Sequence, residues 1–60
     1  MRSLFPGLTL RGPGQLVIRL LARIERPEGF FWTVEDTRMV GTDEIPESEL
    51  LDESLWLAHD

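Results

Sequence analysis

The sequence lacks cysteine, lysine, asparagine and tyrosine, and it contains a single histidine, His59. The absence of cysteine excludes disulfide bonds and thiolate metal sites. A structural zinc site needs about four ligands, usually including Cys or His, so a zinc site is not expected. No nucleophile and base can be paired from one histidine without cysteine. We therefore expect no metal, no cofactor and no enzymatic activity.

Long apolar runs are also missing. Pro6 and Gly7 interrupt the apolar residues that follow Arg2, whereas a signal peptide has an unbroken apolar core of roughly 7–15 residues. No stretch approaches the roughly 18 apolar residues of a membrane span. We expect a cytoplasmic protein that does not bind membranes.

The chain is short. A domain of 60 residues buries only about 60% of its unfolded surface, so its stability is marginal. We expect one domain over residues 1–60, with residues 1–7 and 58–60 as frayed ends. Support from outside the chain is expected to come from a homo-oligomer or from a larger protein partner.

Charge is distributed unevenly along the chain. Residues 1–30 carry a net charge of +3 and residues 31–60 carry −8, which gives −5 overall. An acidic chain repels nucleic-acid phosphates at long range, so nucleic acid is not an expected partner. We expect the arginines to neutralise the acidic half within the fold or across a subunit contact. The alternative is a nucleic-acid-associated domain that uses Arg19, Arg23 and Arg26.

Glycine and proline divide the chain into segments. Residues 8–11 alternate apolar and polar side chains, which predicts a short strand. Residues 15–26 fit a strand whose one face holds Leu16, Ile18, Leu20, Ala22 and Ile24, and they also fit a helix. Two observations favour the strand: Val17 and Ile18 are β-branched, and neither Gly14 nor Gln15 is a preferred helix N-cap.

The third segment, residues 30–40, has the strongest strand composition. Phe30, Trp32 and Val34 are predicted to share one face, and Phe31, Thr33 and Glu35 the other. Residues 35–38 are predicted to form a hairpin turn, and Met39-Val40 to begin the return strand. In the last segment, Pro46 suits the start of a helical turn near residues 46–51. A return to strand by residues 54–57 and a helix over 46–57 both remain open.

The order of these segments resembles that of SH3-like small β-barrels. The features that carry the resemblance are a glycine-bounded apolar strand, the stretch "PEGF.W.VED", a short return and "IPESEL". The resemblance implies a mostly-β barrel in which Ile45 closes one end, Pro46 starts a short helical turn and Leu50 enters the core. The alternative fold is an α+β domain with helices at 15–26 and 46–57.

The chain is also similar to the type II dihydrofolate reductases, a tetrameric family of that fold. Gly14-Gln15-Leu16-Val17 and Pro27-Glu28-Gly29-Phe30 carry this similarity. The family lines its central pore with a V-Q-I-Y stretch, where this chain has Val40-Gly41-Thr42-Asp43. Because the Gln and Tyr are missing and Asp43 and Glu44 are anionic, a reductase-like tetramer is the least favoured function.

The polar candidates for a site have simpler interpretations. Glu35 and Asp36 are adjacent, so on a strand they point to opposite faces and do not act on one bond. Asp43, Glu44, Glu47 and Glu49 lack the spacing of a Ca²⁺ loop. His59 has no neighbour in sequence to orient it. We expect solvated carboxylates and a histidine without a catalytic role.

The predicted function is a small acidic interaction or regulatory module that binds a larger protein. Aromatic residues are enriched among the residues that dominate binding energies, and so short a chain cannot bury all its large rings. We expect Phe31 and Trp56 to be exposed and to bind the partner. The acidic residues expected to join them are Asp43, Glu44 and Glu47.

Overall fold

The longest element is strand β2, Val17–Arg26, and it lies at the centre of the sheet. The other elements are β1 (Thr9–Arg11), a short 3-10 helix (Pro13–Gln15), β3 (Gly29–Asp36), β4 (Thr42–Pro46), helix α1 (Glu47–Leu50) and β5 (Leu57–Ala58). In this computed structural model, which describes residues 2–38 and 40–59, the strands form one antiparallel sheet in the order β4-β3-β2-β1-β5. The prediction of a mostly-β fold is confirmed, and residues 15–26 do not form a helix.

A bulge divides β2 into two halves. The register changes between the pairs Leu20–Val34 and Ala22–Thr33, so β2 carries one extra residue, Leu21. A bulge bends its strand and reverses the alternation of side chains beyond it. Ile24 therefore leaves the core face on which Leu20 lies, and the predicted single face from Leu16 to Ile24 is wrong beyond Leu20.

Strand β3 follows β2 after a two-residue turn, because Arg26 pairs directly with Gly29. Trp32 and Val34 are buried on one face of β3, as their spacing predicts. The predicted turn at residues 35–38 is wrong in its first half, since β3 continues through Asp36. The return strand begins at Thr42, not at Val40, and Met39 lies outside the described residues.

The helix is brief. It follows Pro46 directly and ends at Leu50, whose side chain is fully buried. The helical turn near 46–51 is therefore confirmed, and the alternative of a helix over 46–57 is wrong. The chain returns instead to pair Leu57 with Arg11 and Ala58 with Leu10. No helix in the described ranges is long and apolar enough to cross a membrane.

Both predicted frayed ends contain hydrogen-bonded residues. The Gly7 amide donates to the Leu20 carbonyl, and the His59 amide donates to the Thr9 carbonyl. Fraying of residues 1–7 and 58–60 stays a prediction, and Met1 and Asp60 lie outside the described residues.

The core lies between the sheet, α1 and the segment that follows α1. Its buried members are Leu10, Ile18, Leu20, Trp32, Val34, Leu50 and Trp56. The Trp56 ring packs directly on Gly12, where a Cβ atom would lie only 2.5 Å from a ring carbon. Glycine is required there because real Cβ atoms do not approach other atoms so closely.

The edges of the sheet differ in how they are closed. On β4, the Glu44 amide donates to the Asp43 carboxylate at 2.9 Å, and Pro46 has no amide hydrogen, so few donors remain for another strand. Strand β5 has only two residues. Among the described residues, nothing pairs with the outer side of the second half of β2, because Leu20 is the last residue of β2 to bond the preceding segment, through Gly7 and Leu8.

Candidate functional site: an apolar cavity with an acidic mouth

The arginines of β2 all pair with glutamates from the acidic half. Arg19 pairs with Glu35 of β3, Arg23 with Glu47 of α1 and Arg26 with Glu44 of β4. The three arginines that form these pairs, Arg19, Arg23 and Arg26, are those of the predicted basic patch. For them, the prediction that arginines neutralise the acidic half within the fold is confirmed. Their charges are compensated, which weighs against the nucleic-acid alternative.

The Arg23–Glu47 pair is the most enclosed of these contacts. The guanidinium donates two hydrogen bonds, 2.8 and 3.0 Å long, to the two carboxylate oxygens. The Trp32 indole N–H donates to the same carboxylate at 2.9 Å, and Arg23 lies 3.6 Å above the centre of the Phe30 ring. The hydrogen bonds from Arg23, and then that from Trp32, hold the pKa of Glu47 below its usual value.

The Arg26–Glu44 pair is more exposed. It too is bidentate, at 2.9 and 2.6 Å, but both side chains keep about two fifths of their surface in solvent. The hydrogen bond from Arg26 lowers the pKa of Glu44. Glu44 and Glu47 were both predicted to offer free charge to a partner. Instead, both are occupied by arginines of the same chain.

Other carboxylates make no ion pair with the described residues. They are Glu25, Glu28, Asp43, Glu49, Asp52 and Glu53. Asp52 is nevertheless engaged in its own turn, where the Ser54 hydroxyl and amide donate to it and lower its pKa. Of the predicted partner-binding acids, only Asp43 has a carboxylate that is not paired with an arginine in the part of the chain that the structure describes.

Asp43 lies at the mouth of a cavity of about 200 Å³. Pairing across the sheet explains the position, because Ile18 is opposite Asp36 and Val34 is opposite Asp43. Residues paired in this way project to the same face. Ile18 and Val34 are buried at the base, and the two carboxylates are at the rim.

The walls of the cavity are apolar. They include Leu16 and Ile45, which are half-buried and pack against the core, and the segment 40–42 lines the cavity as well. The Asp36 carboxylate accepts the Arg38 amide at 2.8 Å, and its nearest guanidinium contact, to Arg38, is long at 3.8 Å. Two carboxylates above an apolar base suit a ligand group that has an aliphatic stem and a cationic end.

The structure does not bring the five predicted binding residues together. Asp43 faces the cavity, whereas Phe31 and Glu44 lie on the opposite face of the sheet and Glu47 caps Trp32. The predicted exposure of Trp56 is wrong: its side chain is only 4% exposed because it packs on Gly12. Its indole N–H has no partner among the described residues. Phe31 is half-buried beside Pro46.

Two further residues occupy exposed or cavity-lining positions that were not predicted from the sequence. Phe30 is more exposed than predicted, at 39%, because it lies on the part of the hairpin beyond the core. Asp36 was assigned to a solvated turn and instead lines the cavity. The signal for Asp36 was its even spacing from Val34, which places both on one face of a strand.

No cluster of three or more potential metal ligands occurs within residues 2–38 and 40–59. Glu35 and Asp36 point to opposite faces, since Glu35 pairs with Arg19 and Asp36 lines the cavity. Comparisons of the chain with protein-family models, with curated proteins and with solved structures gave no significant match.

Proposed function

We propose that the protein is a small acidic interaction module whose cavity binds a basic side chain of a larger protein. The observation that carries the proposal is the combination of Asp36 and Asp43 at the rim with Ile18 and Val34 at the base. An arginine or lysine of the partner would place its methylene groups on the apolar base. Its cationic end would lie between the carboxylates.

Charge complementarity supports this choice of partner. The arginines of β2 are occupied by glutamates. The net charge of −5 is therefore carried mainly by the remaining carboxylates. Such a surface attracts a basic protein surface at long range and repels nucleic acid. A nucleic-acid enzyme has a basic surface of this kind, and a cytoplasmic location suits such a partner.

The proposed architecture is the SH3-like barrel. It is supported by the consecutive antiparallel strands β2, β3 and β4, by the pairing of β1 with both β2 and β5, and by α1 between β4 and β5. The burial of Leu50 in the core and the packing of Ile45 against it also support the proposal.

A titration with a short arginine peptide tests the cavity. The probe is a blocked Gly-Arg-Gly peptide. Its binding at low salt is followed by two-dimensional NMR of the uniformly labelled protein. We expect shifts centred on the amides of Gly41, Thr42 and Asp43. Binding should weaken when salt is raised from low to physiological concentration, because the contact is partly screened there.

Matched substitutions locate the binding. Asp43→Asn should lower the affinity for the peptide about fivefold, equivalent to ~1 kcal/mol. Glu53→Gln removes the same charge from an exposed site outside the cavity and should have little effect. Equal effects of the two substitutions, or binding that is insensitive to salt, would contradict the proposal.

A further inference from the structure

Within residues 2–38 and 40–59, the second half of β2 is a sheet edge without a partner strand. Among the described residues, the backbone of Leu21–Arg26 forms hydrogen bonds only with β3. Most side chains here are exposed, and none is buried. An open strand of this kind is a template for another strand. The protections found on β4, a side-chain cap and a proline, are absent from it.

The two-residue turn fixes which backbone groups face outward. Arg26 and Gly29 flank that turn, so they form the hydrogen-bonded pair that closes the hairpin. Because bonded and non-bonded pairs alternate, the amide and carbonyl of Ile24 also point toward β3. Those of Arg23 and Glu25 point toward the open edge.

Charge selects one antiparallel register for two copies of this edge. Outward-facing residues must oppose one another, so the symmetry axis can pass through Arg23, Ile24 or Glu25. An axis at Arg23 or Glu25 opposes like charges, which is destabilising. An axis at Ile24 places each Arg23 opposite Glu25 of the second copy and brings the two Ile24 side chains together.

We propose that a second copy of this chain docks on the β2 edge, antiparallel and with Ile24 on the twofold axis. The dimer contains four new backbone hydrogen bonds, from the amides of Arg23 and Glu25 in each copy. Glu25, which has no ion-pair partner among the described residues, comes opposite Arg23 of the other copy, whose guanidinium keeps N–H groups that are not used in its two hydrogen bonds to Glu47. Arg26 lies opposite Ala22 of the other copy, whose small side chain leaves room for the methylene groups of Arg26. The result is a continuous sheet across both copies.

Cysteine cross-linking tests the register directly, because the natural chain has no cysteine. Opposed residues of a non-hydrogen-bonded pair have Cα atoms about 4.5 Å apart, which is within disulfide range. Ile24→Cys should therefore form a covalent dimer under mild oxidation. Ala22→Cys is the matched control: it lies on the same strand and face, but the proposed register separates its two copies by four residues, about 13 Å.

We expect Ile24→Cys to cross-link at least tenfold faster than Ala22→Cys, as measured by non-reducing electrophoresis at micromolar protein. Circular dichroism establishes that both variants are folded.

Sedimentation equilibrium of the unsubstituted chain should show a monomer–dimer equilibrium. Glu25→Arg should abolish the dimer, because it places an arginine opposite Arg23 of the other copy. Equal rates would indicate random collision and overturn the register. If the folded chain remains monomeric and does not cross-link, the proposed dimer is wrong, and the edge is available to a strand of another protein.

Discussion

The two halves of β2 are held in place by different forces. Before the bulge, Ile18 and Leu20 are 2% and 0% exposed and pack within the core. Beyond it, Arg23 and Arg26 keep close to half of their side-chain surface in solvent and are held by glutamates. Burial of a large apolar side chain contributes about 1.5–3 kcal/mol, whereas an exposed ion pair contributes about 0–1 kcal/mol.

This difference indicates which part of the strand is committed to stability. Substitutions before the bulge act on the whole fold, since a small domain has only about 5 kcal/mol or somewhat more to lose. The second half is weakly coupled to the core. Its residues are therefore available for recognition, including the pairing proposed for the β2 edge.

The largest effect is expected from Leu20→Ala. Removing a fully buried leucine typically lowers the free energy of unfolding by about 2–5 kcal/mol, which is enough to unfold much of a domain of this size. Ile24→Ala, beyond the bulge and only half-buried, should lower the free energy of unfolding by about 1 kcal/mol. Urea denaturation followed by tryptophan fluorescence measures both values, and equal losses would remove the distinction between the halves.

A second test acts on the packing beside the first half of β2, where the Gly12 amide donates to the Leu16 carbonyl. Gly12→Ala should lower the free energy of unfolding by about 1–3 kcal/mol, because the new methyl group overlaps the Trp56 ring. The ring is enclosed and cannot move aside without disturbing the core.

Trp56→Phe supplies the control for this overlap. The smaller ring leaves space at Gly12, so Gly12→Ala should cost less in a Trp56→Phe background than in the natural chain. This non-additivity is expected for residues in direct contact and not for distant, independent sites. An unchanged cost in the two backgrounds would place the effect of Gly12 in the backbone instead.

The sequence was sufficient for the strands because their cues are local. Val17 and Ile18 favour a strand, Pro27-Glu28-Gly29 marks the turn, and Pro46 precedes the helix, where its fixed φ is suitable. The bulge at Leu21 has no comparable local cue. It depends on how β2 must bend to bond Leu8 on one side and β3 on the other, and missing it placed Ile24 on the wrong face.

The candidate site was harder to predict because it depends on pairing between distant segments. Asp43 was identified from its charge alone, and the residues that line the cavity with it come from three strands and the segments next to them. Trp56 was assigned to the surface because the sequence did not show that Gly12 accommodates its ring. The pairing of Glu44 and Glu47 with arginines is likewise a consequence of the register between strands.

The smallest effect is expected in the second half, from the Arg23–Glu47 pair. Hydrogen bonds from Arg23 and Trp32 lower the pKa of Glu47 from its ordinary value of 4.5. A lowered pKa in the folded state stabilises the fold above the unfolded value and loses that contribution as pH falls through the folded value. Glu47→Gln should therefore lower the free energy of unfolding by about 1 kcal/mol or less at neutral pH and should weaken the dependence of stability on pH below 4.5.

Glu49→Gln is the control, because Glu49 lies two residues further along α1 and has no ion-pair partner among the described residues. Urea midpoints measured from pH 7 to pH 3 separate the two, and parallel pH profiles for the natural chain and Glu47→Gln would show that the pair adds nothing to the second half of β2.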